Sequence, residues 1–299
     1  MKLLLQDSLA RVQSGNRPGD RLRIAKARGQ RKVRSRGRKS RYCMDLGIKG
    51  RCALVLGASS GLGEAIALSL AREGVRLGLA ARRLDRLDEV AARAKELGAP
   101  EARGFALDLH DAGSISAMHA AFRDAFGDAD IAILNGGGPK AGRLTELPLG
   151  DWDAAYGLLL RGMLQLLDAI VPPMRARGWG RIVALTSTSV KQPIDSLALS
   201  NAFRSALVSA LRTLAVEVAR DGVTVNSIAT GRIETARLRA LYGNDEAKLL
   251  AAASEVPMGR IASPEEFAPM AVFLCCAPAS YVTGQTISVD GGLTRGLFG

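Results

Sequence analysis

The chain has 299 residues, of which 47% are hydrophobic and only 4% aromatic, so it can hold one large α/β domain or two small ones. Its formal net charge of +12 comes from residues 1–43, which contain 14 Lys or Arg against two Asp. The remaining 256 residues carry 27 charges of each sign, which excludes a generally basic, nucleic-acid-binding domain.

Residues 1–43 are predicted to be a basic, disordered extension, because they combine few apolar residues with many like charges. We favour a translation start at Met44, since a complete domain pattern begins within a few residues of it. Two other interpretations stay open: an arm that touches nucleic acid or acidic lipid, and an Arg-rich organelle transit peptide. A nucleic-acid partner is not expected.

We expect neither a membrane segment nor a metal site. No apolar run reaches the ~18 residues that span a bilayer, and no secretory hydrophobic region follows Met1. The four cysteines form no CxxC pair, and the chain has only two histidines. This cysteine usage favours a reducing, cytoplasmic compartment. The cysteines are Cys43, Cys52, Cys275 and Cys276.

Short β-rich runs alternate with helical patterns from Arg51 onward. In chain order they are CALVLG, EAIALSLAREG, VRLGLAA, LDRLDEVAARAKELG, DIAILNGG, a helical stretch near 151–177, GRIVALTS, a helix opened at Ser200 and VTVNSIATG. Apolar strands separated by helices predict a parallel sheet covered on both faces. We therefore predict one doubly wound α/β Rossmann domain over residues 44–299, with a mostly parallel sheet. Its ligands would bind beyond the carboxyl ends of the strands.

A glycine-rich turn follows the first strand, in ALVLGASSGLGEAIA. Glycines at this place permit a tight turn and let the backbone approach a pyrophosphate, which the helix N-terminus stabilises. The spacing is GxxxGxG, and simple packing of the helix on the strand is the alternative explanation. The cofactor-binding residues predicted here are Gly57, Ser59, Ser60, Gly61, Leu62 and Gly63.

The end of the second strand selects between two nicotinamide cofactors. An NAD site usually carries an Asp or Glu about 20 residues after the glycines, which binds the ribose 2′-hydroxyl. Here Ala81, Arg82 and Arg83 occupy that place, and two guanidiniums suit a 2′-phosphate. The alternative is that both arginines simply open a solvated helix. The pattern favours NADP(H) over NAD(H).

Four further motifs follow: ALDLHD, ILNGGGP, VTVNSIATGRIET and YVTGQTISVDGG. Together with the glycine turn they resemble the short-chain dehydrogenase/reductases over residues 46–296, and in particular the 3-oxoacyl-carrier-protein-reductase-like branch. Leu134 and Gly136 depart from the family's NNAG motif, and Thr230 replaces its proline. The resemblance implies that Asp108 and Leu109 lie near the adenine and that Asn135 and Gly137 bind the cofactor. It also implies that the backbone after Gly231, including Ile233, and the Thr235 hydroxyl hold the nicotinamide carboxamide.

The resemblance also assigns four catalytic positions, where the family carries Ser, Tyr, Lys and Asn. Ser187 keeps the serine. Ser200 stands at the tyrosine position and Arg204 at the lysine position, while Leu159 occupies the asparagine position. Ser187, Ser200 and Arg204 are therefore the predicted catalytic residues.

These replacements change the available acid–base chemistry. A phenol has a pKa of about 10, which an adjacent cation can lower, whereas the aliphatic hydroxyl of Ser200 is a poor general acid. Arg204 keeps the positive charge and can hold ribose hydroxyls, but it stays protonated. Lys191 and Tyr242 are alternative proton donors, supported by position alone.

The helix opened at Ser200 carries an apolar stripe. In the family this helix commonly packs against a partner subunit, so a homo-oligomer is expected. Burial of the stripe inside its own domain is the alternative. The stripe consists of Phe203, Leu207, Leu211, Leu214 and Val218.

Two functions are compatible with these observations. The first is an NADP(H)-dependent oxidoreductase of small-molecule carbonyl or alcohol substrates, with non-standard acid–base residues. The alternative is a catalytically silent nucleotide-binding protein that acts as a sensor or an oligomeric partner. The intact cofactor motifs favour the first, and the loss of three catalytic positions favours the second.

Overall fold

The protein folds around one sheet of seven parallel strands in a computed structural model that describes residues 44–297. The strands are β1 Cys52–Leu56, β2 Arg76–Ala81, β3 Ala102–Ala106, β4 Ile131–Leu134, β5 Gly180–Leu185, β6 Val223–Thr230 and β7 Thr286–Val289. Their order is β3-β2-β1-β4-β5-β6-β7, and every neighbouring pair is parallel. The predictions made for residues 1–43 lie outside the described residues.

Helices cover both faces of this sheet. They are α1 Gly61–Arg72, α2 Leu84–Glu96, α3 Ala112–Phe126, α4 Leu149–Tyr156, α5 Gly162–Ala176, α6 Ala198–Val218, α7 Ala236–Leu241, α8 Glu246–Glu255 and α9 Pro264–Cys275. Side chains of a strand alternate between two cores: Val55 belongs to the core that contains Ile66 of α1, and Leu54 to the core that contains Leu211 of α6. The predicted doubly wound α/β Rossmann architecture is confirmed, with a sheet that is parallel throughout.

The strand order reverses between β1 and β4. From β1 the chain proceeds outward through β2 and β3, then returns to β4 and continues through β5, β6 and β7. In open parallel sheets the crevice for a ligand lies at such a reversal, beyond the carboxyl ends of the strands. The glycine turn after β1 and the NGGG loop after β4 meet at this point.

One helical stretch, Leu149–Ala176, is long and apolar enough to cross a membrane by length and composition. It consists of α4, a π-helical turn at Gly157–Arg161, and α5. Met163, Leu166 and Ile170 are buried in the core under the sheet. A core helix of this kind has the same composition as a membrane span, and the packing of α5 explains its apolar character.

The apolar stripe of α6 packs inside its own domain. Leu207, Leu211 and Val218 are buried in the core, and Leu214 packs against it. Phe203 lies 5.8 Å from the Trp152 ring, centroid to centroid. The helical spacing therefore reflects this core, and it gives no support to the expected homo-oligomer.

The three cysteines of the described residues are buried and free. Burial raises the pKa of the Cys52 thiol to about 12 and also raises the pKa of the Cys275 thiol. A thiol held protonated in this way is a packing group rather than a nucleophile or a metal ligand.

Candidate active site

A single cleft of about 830 Å³ lies at the carboxyl edge of the sheet. It brings together all but one of the residues predicted to bind the cofactor or to act in catalysis. The lining includes Gly57, Ser59, Ser60, Gly61, Leu62, Arg82, Arg83, Asp108, Leu109, Asn135, Gly137, Ser187, Ser200, Arg204, Gly231, Ile233 and Thr235. These predicted residues, which lie far apart in the sequence, therefore line one continuous cavity.

Gly63 is the exception, because it is buried in α1 and does not line the cleft. A Cβ on Gly63 would lie 2.2 Å from the Gly57 carbonyl oxygen. Gly57 and Gly61 have φ angles of +61° and +60°, which favour glycine. The three glycines therefore divide their roles: two shape the turn, and Gly63 lets α1 approach the end of β1.

The N-terminus of α1 faces the cleft without a side-chain cap. Ser60 occupies the N-cap position, but its hydroxyl accepts no hydrogen bond from the first turn. By contrast, Asp111, Asp245 and Ser263 cap α3, α8 and α9 through their side chains. The first N–H groups of α1 are thus left for an anion, and this opening fits the pyrophosphate of a dinucleotide.

Arg82 and Arg83 line the cleft at the end of β2. Ala81 stands there in place of the acidic residue that binds the ribose 2′-hydroxyl in an NAD site. Arg83 Nη2 donates to the hydroxyls of Ser59 and Ser60, at 3.2 Å each. Among the ion pairs of residues 44–297, none includes either arginine. Both guanidiniums fit a 2′-phosphate beside the glycine turn.

The turn after β3 and the loop after β4 line the cleft beside the glycine turn and the arginine pair. The Asp108 carboxylate accepts from the His110 N–H at 3.0 Å, and the Asp108 N–H donates to Ser114 Oγ at 2.9 Å. Asn135 packs against the glycine turn, since a Cβ on Gly57 would lie 2.7 Å from Asn135 Nδ2. Asp108 therefore stabilises its own turn, while Asn135 packs against the neighbouring glycine turn, and both line the cleft.

The two predicted catalytic serines lie beyond the end of β5. Ser187 Oγ accepts from the Ser189 N–H at 3.1 Å, which leaves the Ser187 hydroxyl free to donate. Ser200 is only 5% exposed, and its hydroxyl lies 3.3 Å from the buried hydroxyl of Ser189. Ser189 therefore positions both serines, a role that the sequence did not reveal.

Arg204 lies one helical turn after Ser200 and is held by backbone carbonyls. Its Nη1 donates to the Leu185 oxygen at 2.9 Å, and its Nη2 donates to the Gly137 oxygen. Burial, together with the positive charge of Arg237, lowers the pKa of Arg204 to about 10. The guanidinium therefore joins the ends of β4 and β5 and presents a fixed positive charge to the cleft.

Leu159, at the family's asparagine position, belongs to the core. It lies in the π-helical turn and is 1% exposed. A Cβ on Gly136 would come within 3.6 Å of its Cδ2 and 2.7 Å of Met163 Cε. Apolar packing thus replaces a polar group at this position.

The segment after β6 forms the opposite wall. Gly231 is required by packing, since a Cβ there would lie 2.4 Å from the Asp290 Cα. The Thr235 hydroxyl caps α7 by accepting from the Leu238 N–H at 3.1 Å, and it remains able to donate. Thr230 Oγ1 is buried and has no hydrogen-bond partner within residues 44–297. The Thr235 hydroxyl is therefore a donor that a ligand bound against this wall could use.

The structure does not place the two alternative proton donors, Lys191 and Tyr242, on the cleft wall. It places there a residue that the sequence did not single out, Arg237, two positions after Thr235. There was little reason in the sequence to select Arg237, because the chain contains 41 Lys and Arg residues and nothing in its local pattern sets this one apart.

A family model described as enoyl-(acyl carrier protein) reductase matches residues 57–294. The 3-oxoacyl-acyl-carrier-protein reductase FabG of Escherichia coli (strain K12) is 33% identical over 249 residues, which cover 83% of this chain and 99% of FabG. The chain belongs to the short-chain dehydrogenase/reductase family, as a FabG-like member, and the predicted resemblance is confirmed.

Two solved structures are similar in both fold and sequence. L-Sorbose reductase from Gluconobacter frateurii, complexed with NADPH and L-sorbose, superposes with a TM-score of 0.80 at 36% identity, covering 85% of this chain and all of that one (100%). An actinorhodin polyketide ketoreductase solved with NADPH has a TM-score of 0.78 at 32% identity, covering 83% and 98%. Relatives and structural neighbours are oxidoreductases, and so is this protein.

Proposed function

We propose that this protein is an NADP(H)-dependent oxidoreductase that interconverts a carbonyl compound and an alcohol. One observation carries the proposal: a single cleft joins the uncapped start of α1 and the Arg82–Arg83 pair to Ser187, Ser200 and Arg204. The first set suits a phosphorylated dinucleotide. The second suits a carbonyl oxygen on which negative charge develops. NADPH-bound neighbours at 36% and 32% identity support the cofactor.

The residues of the cleft take distinct parts in this reaction. The cofactor supplies or accepts the hydride. The Ser187 and Ser200 hydroxyls donate hydrogen bonds to the substrate oxygen. Arg204 is held by the Leu185 and Gly137 carbonyls and stabilises the negative charge on the substrate oxygen. Its remaining N–H groups can donate to the ribose hydroxyls of the cofactor. The Thr235 hydroxyl, which accepts from the Leu238 N–H, would donate to the nicotinamide carboxamide of the bound cofactor.

The proton that completes the alcohol comes from water in this proposal. A serine hydroxyl is a poor acid, and Arg204 stays protonated at neutral pH. A positive charge fixed beside the substrate oxygen favours the alkoxide until water protonates it. This arrangement replaces general-acid catalysis, which supplies about 10²–10⁴ in rate, by electrostatic stabilisation.

Turnover separates the proposal from the silent nucleotide-binding alternative. The wild-type protein is incubated with NADPH and a panel of ketones and aldehydes, and the absorbance of reduced nicotinamide is followed. Reduction that depends on Arg204 supports the oxidoreductase. Tight NADPH binding without reduction of any compound in the panel favours the alternative, which the absence of the tyrosine and lysine supports.

Replacing both Arg82 and Arg83 with methionine is expected to weaken NADPH binding by about 10–100-fold, because two charge-assisted contacts to the 2′-phosphate are lost. NADH binding should change little, since NADH lacks that phosphate. Dissociation constants from calorimetric titration measure both effects. Arg86→Met is the control, because Arg86 lies in the first turn of α2, just after the pair, and is bound to Glu89 instead. Equal weakening of both nucleotides would contradict the assignment.

The rate of reduction is expected to be flat between about pH 6 and 9 and to fall as the pH rises through about 10. Burial lowers the pKa of Arg204 to about 10, and the protonated form is the active one. Activity is therefore full below this pKa and lost above it. A pH–rate profile measures the effect, and an inflection near neutrality would instead reveal a general acid that this account lacks.

A homo-oligomer in the cytoplasm completes the proposal. The α6 stripe does not support it, but apolar side chains at Tyr156, Leu164 and Val216 are exposed along α4 to α6. Light scattering after size-exclusion chromatography measures the assembly directly, and a monomer at micromolar concentration would contradict it.

A further inference from the structure

A second guanidinium stands in the cleft, and the proposed reduction gives it no role. Arg237 is the second residue of α7, and its Nη2 donates to the backbone carbonyl of Pro139 in the loop after β4. The side chain therefore reaches across the cleft from the segment after β6. Arg204 donates to the Gly137 carbonyl and Arg237 to the Pro139 carbonyl, two residues further along the same loop, so the two guanidiniums are neighbours. In keeping with this, the charge of Arg237 contributes to the lowered pKa of Arg204.

No carboxylate neutralises this pair within the described part of the chain. The ion pairs of residues 44–297 include neither Arg204 nor Arg237, and their recorded hydrogen bonds go to backbone carbonyls. Asp108, the carboxylate on the cleft wall, accepts from its own turn after β3. Two neighbouring cations partly withdrawn from water are costly, and an anion between them removes that cost.

The loop after β4 is shaped to admit the Arg237 side chain. A Cβ on Gly138 would lie 2.3 Å from Arg237 Nε and 2.7 Å from its Cζ. Gly138 is the third glycine of NGGG, and the family motif does not account for it. Glycine at this position lets the guanidinium lie flat against the loop.

The surroundings of Arg237 are apolar. Four leucines from three places line the same cleft: the π-helical turn, the residue before α6, and α7 itself. A ligand there would therefore meet hydrocarbon walls as well as the charged group. One Nη2 hydrogen of Arg237 is used by Pro139, which leaves a two-donor edge of the planar group open. Such an edge binds a carboxylate through two parallel hydrogen bonds. The leucines are Leu158, Leu197, Leu238 and Leu241.

We infer that Arg237 is a carboxylate subsite and that the substrates are oxo acids, or the corresponding hydroxy acids, with a short apolar chain. The inference rests on the proposed function and names its substrate class. The carbonyl oxygen lies at Ser187, Ser200 and Arg204, while the carboxylate is bound by Arg237.

The test compares acids with their methyl esters on the NADPH-saturated protein. The probes are oxopentanoates with the ketone at the second, third or fourth carbon, each beside its ester. Binding is read from the fluorescence of the reduced nicotinamide, and kcat/KM from its consumption. The best acid is expected to bind at least about tenfold more tightly than its ester, because the ester cannot form the charged pair.

Variants of the cleft wall distinguish a specific carboxylate site at Arg237 from a general effect of positive charge. Arg237→Met should abolish the preference for the acid, and Arg237→Lys should retain part of it. Gly138→Ala should reduce the preference by displacing the guanidinium without removing it. Arg239→Met is the matched control, because Arg239 lies on the same helix and pairs with Glu234 and Glu246.

The outcomes are distinct. If no acid binds more tightly than its ester, or if the preference survives Arg237→Met, the inference is overturned while the proposed function stands. A protein that binds no NADPH overturns both. Inorganic phosphate that displaces the best acid more strongly than acetate does would assign the subsite to a phosphorylated substrate and overturn the carboxylate.

Discussion

Replacing Arg204 with methionine is expected to lower kcat for carbonyl reduction by about 10²–10⁴-fold, because the fixed positive charge one helical turn from Ser200 is lost. Methionine keeps much of the length of the side chain but can neither donate to the Leu185 and Gly137 carbonyls nor stabilise an alkoxide. Arg204→Lys should recover part of the rate, since it restores the charge without the two-armed contact. Consumption of NADPH under saturating cofactor measures the effect.

Arg212→Met is the matched control for this experiment. Arg212 lies two turns further along α6 and also donates to a backbone carbonyl, that of Gly284, outside the cleft. Its loss should leave kcat within a factor of about two, as surface changes usually do. A kcat for Arg204→Met close to wild type would contradict the assigned role. So would a loss explained wholly by weaker NADPH binding.

Gly63→Ala is expected to lower the free energy of unfolding by about 1–3 kcal/mol and to weaken nucleotide binding, although alanine is the better helix former. The added Cβ would lie 2.2 Å from the Gly57 oxygen and 2.7 Å from the Gly57 carbonyl carbon. Both atoms are backbone, so no side-chain rotation relieves the contact. The start of α1 must shift away from the glycine turn. Chemical denaturation and NADPH titration measure the two effects.

Gly150→Ala provides the control on another helix. A Cβ on Gly150 would meet nothing within 4 Å, and its φ is not in the left-handed region. This variant should be neutral or more stable by up to about 1 kcal/mol. If Gly63→Ala behaved in the same way, the packing role of Gly63 would be wrong.

The fold could be predicted from the sequence because its strands are buried on both faces. All five residues of β1 are buried, so the strand appears as an unbroken apolar run rather than as an alternating one. The glycine turn and the Arg82–Arg83 pair, which line the cleft, could also be identified from the sequence, since they are local features of two consecutive strand ends. The resemblance to a family placed the remaining motifs.

The same local reasoning could not resolve features that depend on packing between distant elements. Gly63 has the spacing of a phosphate-binding glycine, yet the neighbouring Gly57 backbone explains it. The stripe of α6 could have faced a partner or its own core, and periodicity does not distinguish the two. Lys191 and Tyr242 follow the right strands, but the sequence does not specify the direction of a loop.

Arg237 illustrates the same limit within the site. Its carbonyl partner, Pro139, is 98 residues away in the chain. Gly138, which makes room for the guanidinium, belongs to that distant loop. A contact between residues so far apart in the chain produces no periodic pattern in the sequence. Only the folded structure shows that Arg237 lies against this loop.

The most direct test of the account is a calorimetric titration of the wild-type protein with NADPH and with NADH. We expect one saturable NADPH site per chain, bound at least about tenfold more tightly than NADH, because Arg82 and Arg83 would contact the 2′-phosphate. Binding of NADH as tight as that of NADPH, or no binding of either nucleotide, would contradict it.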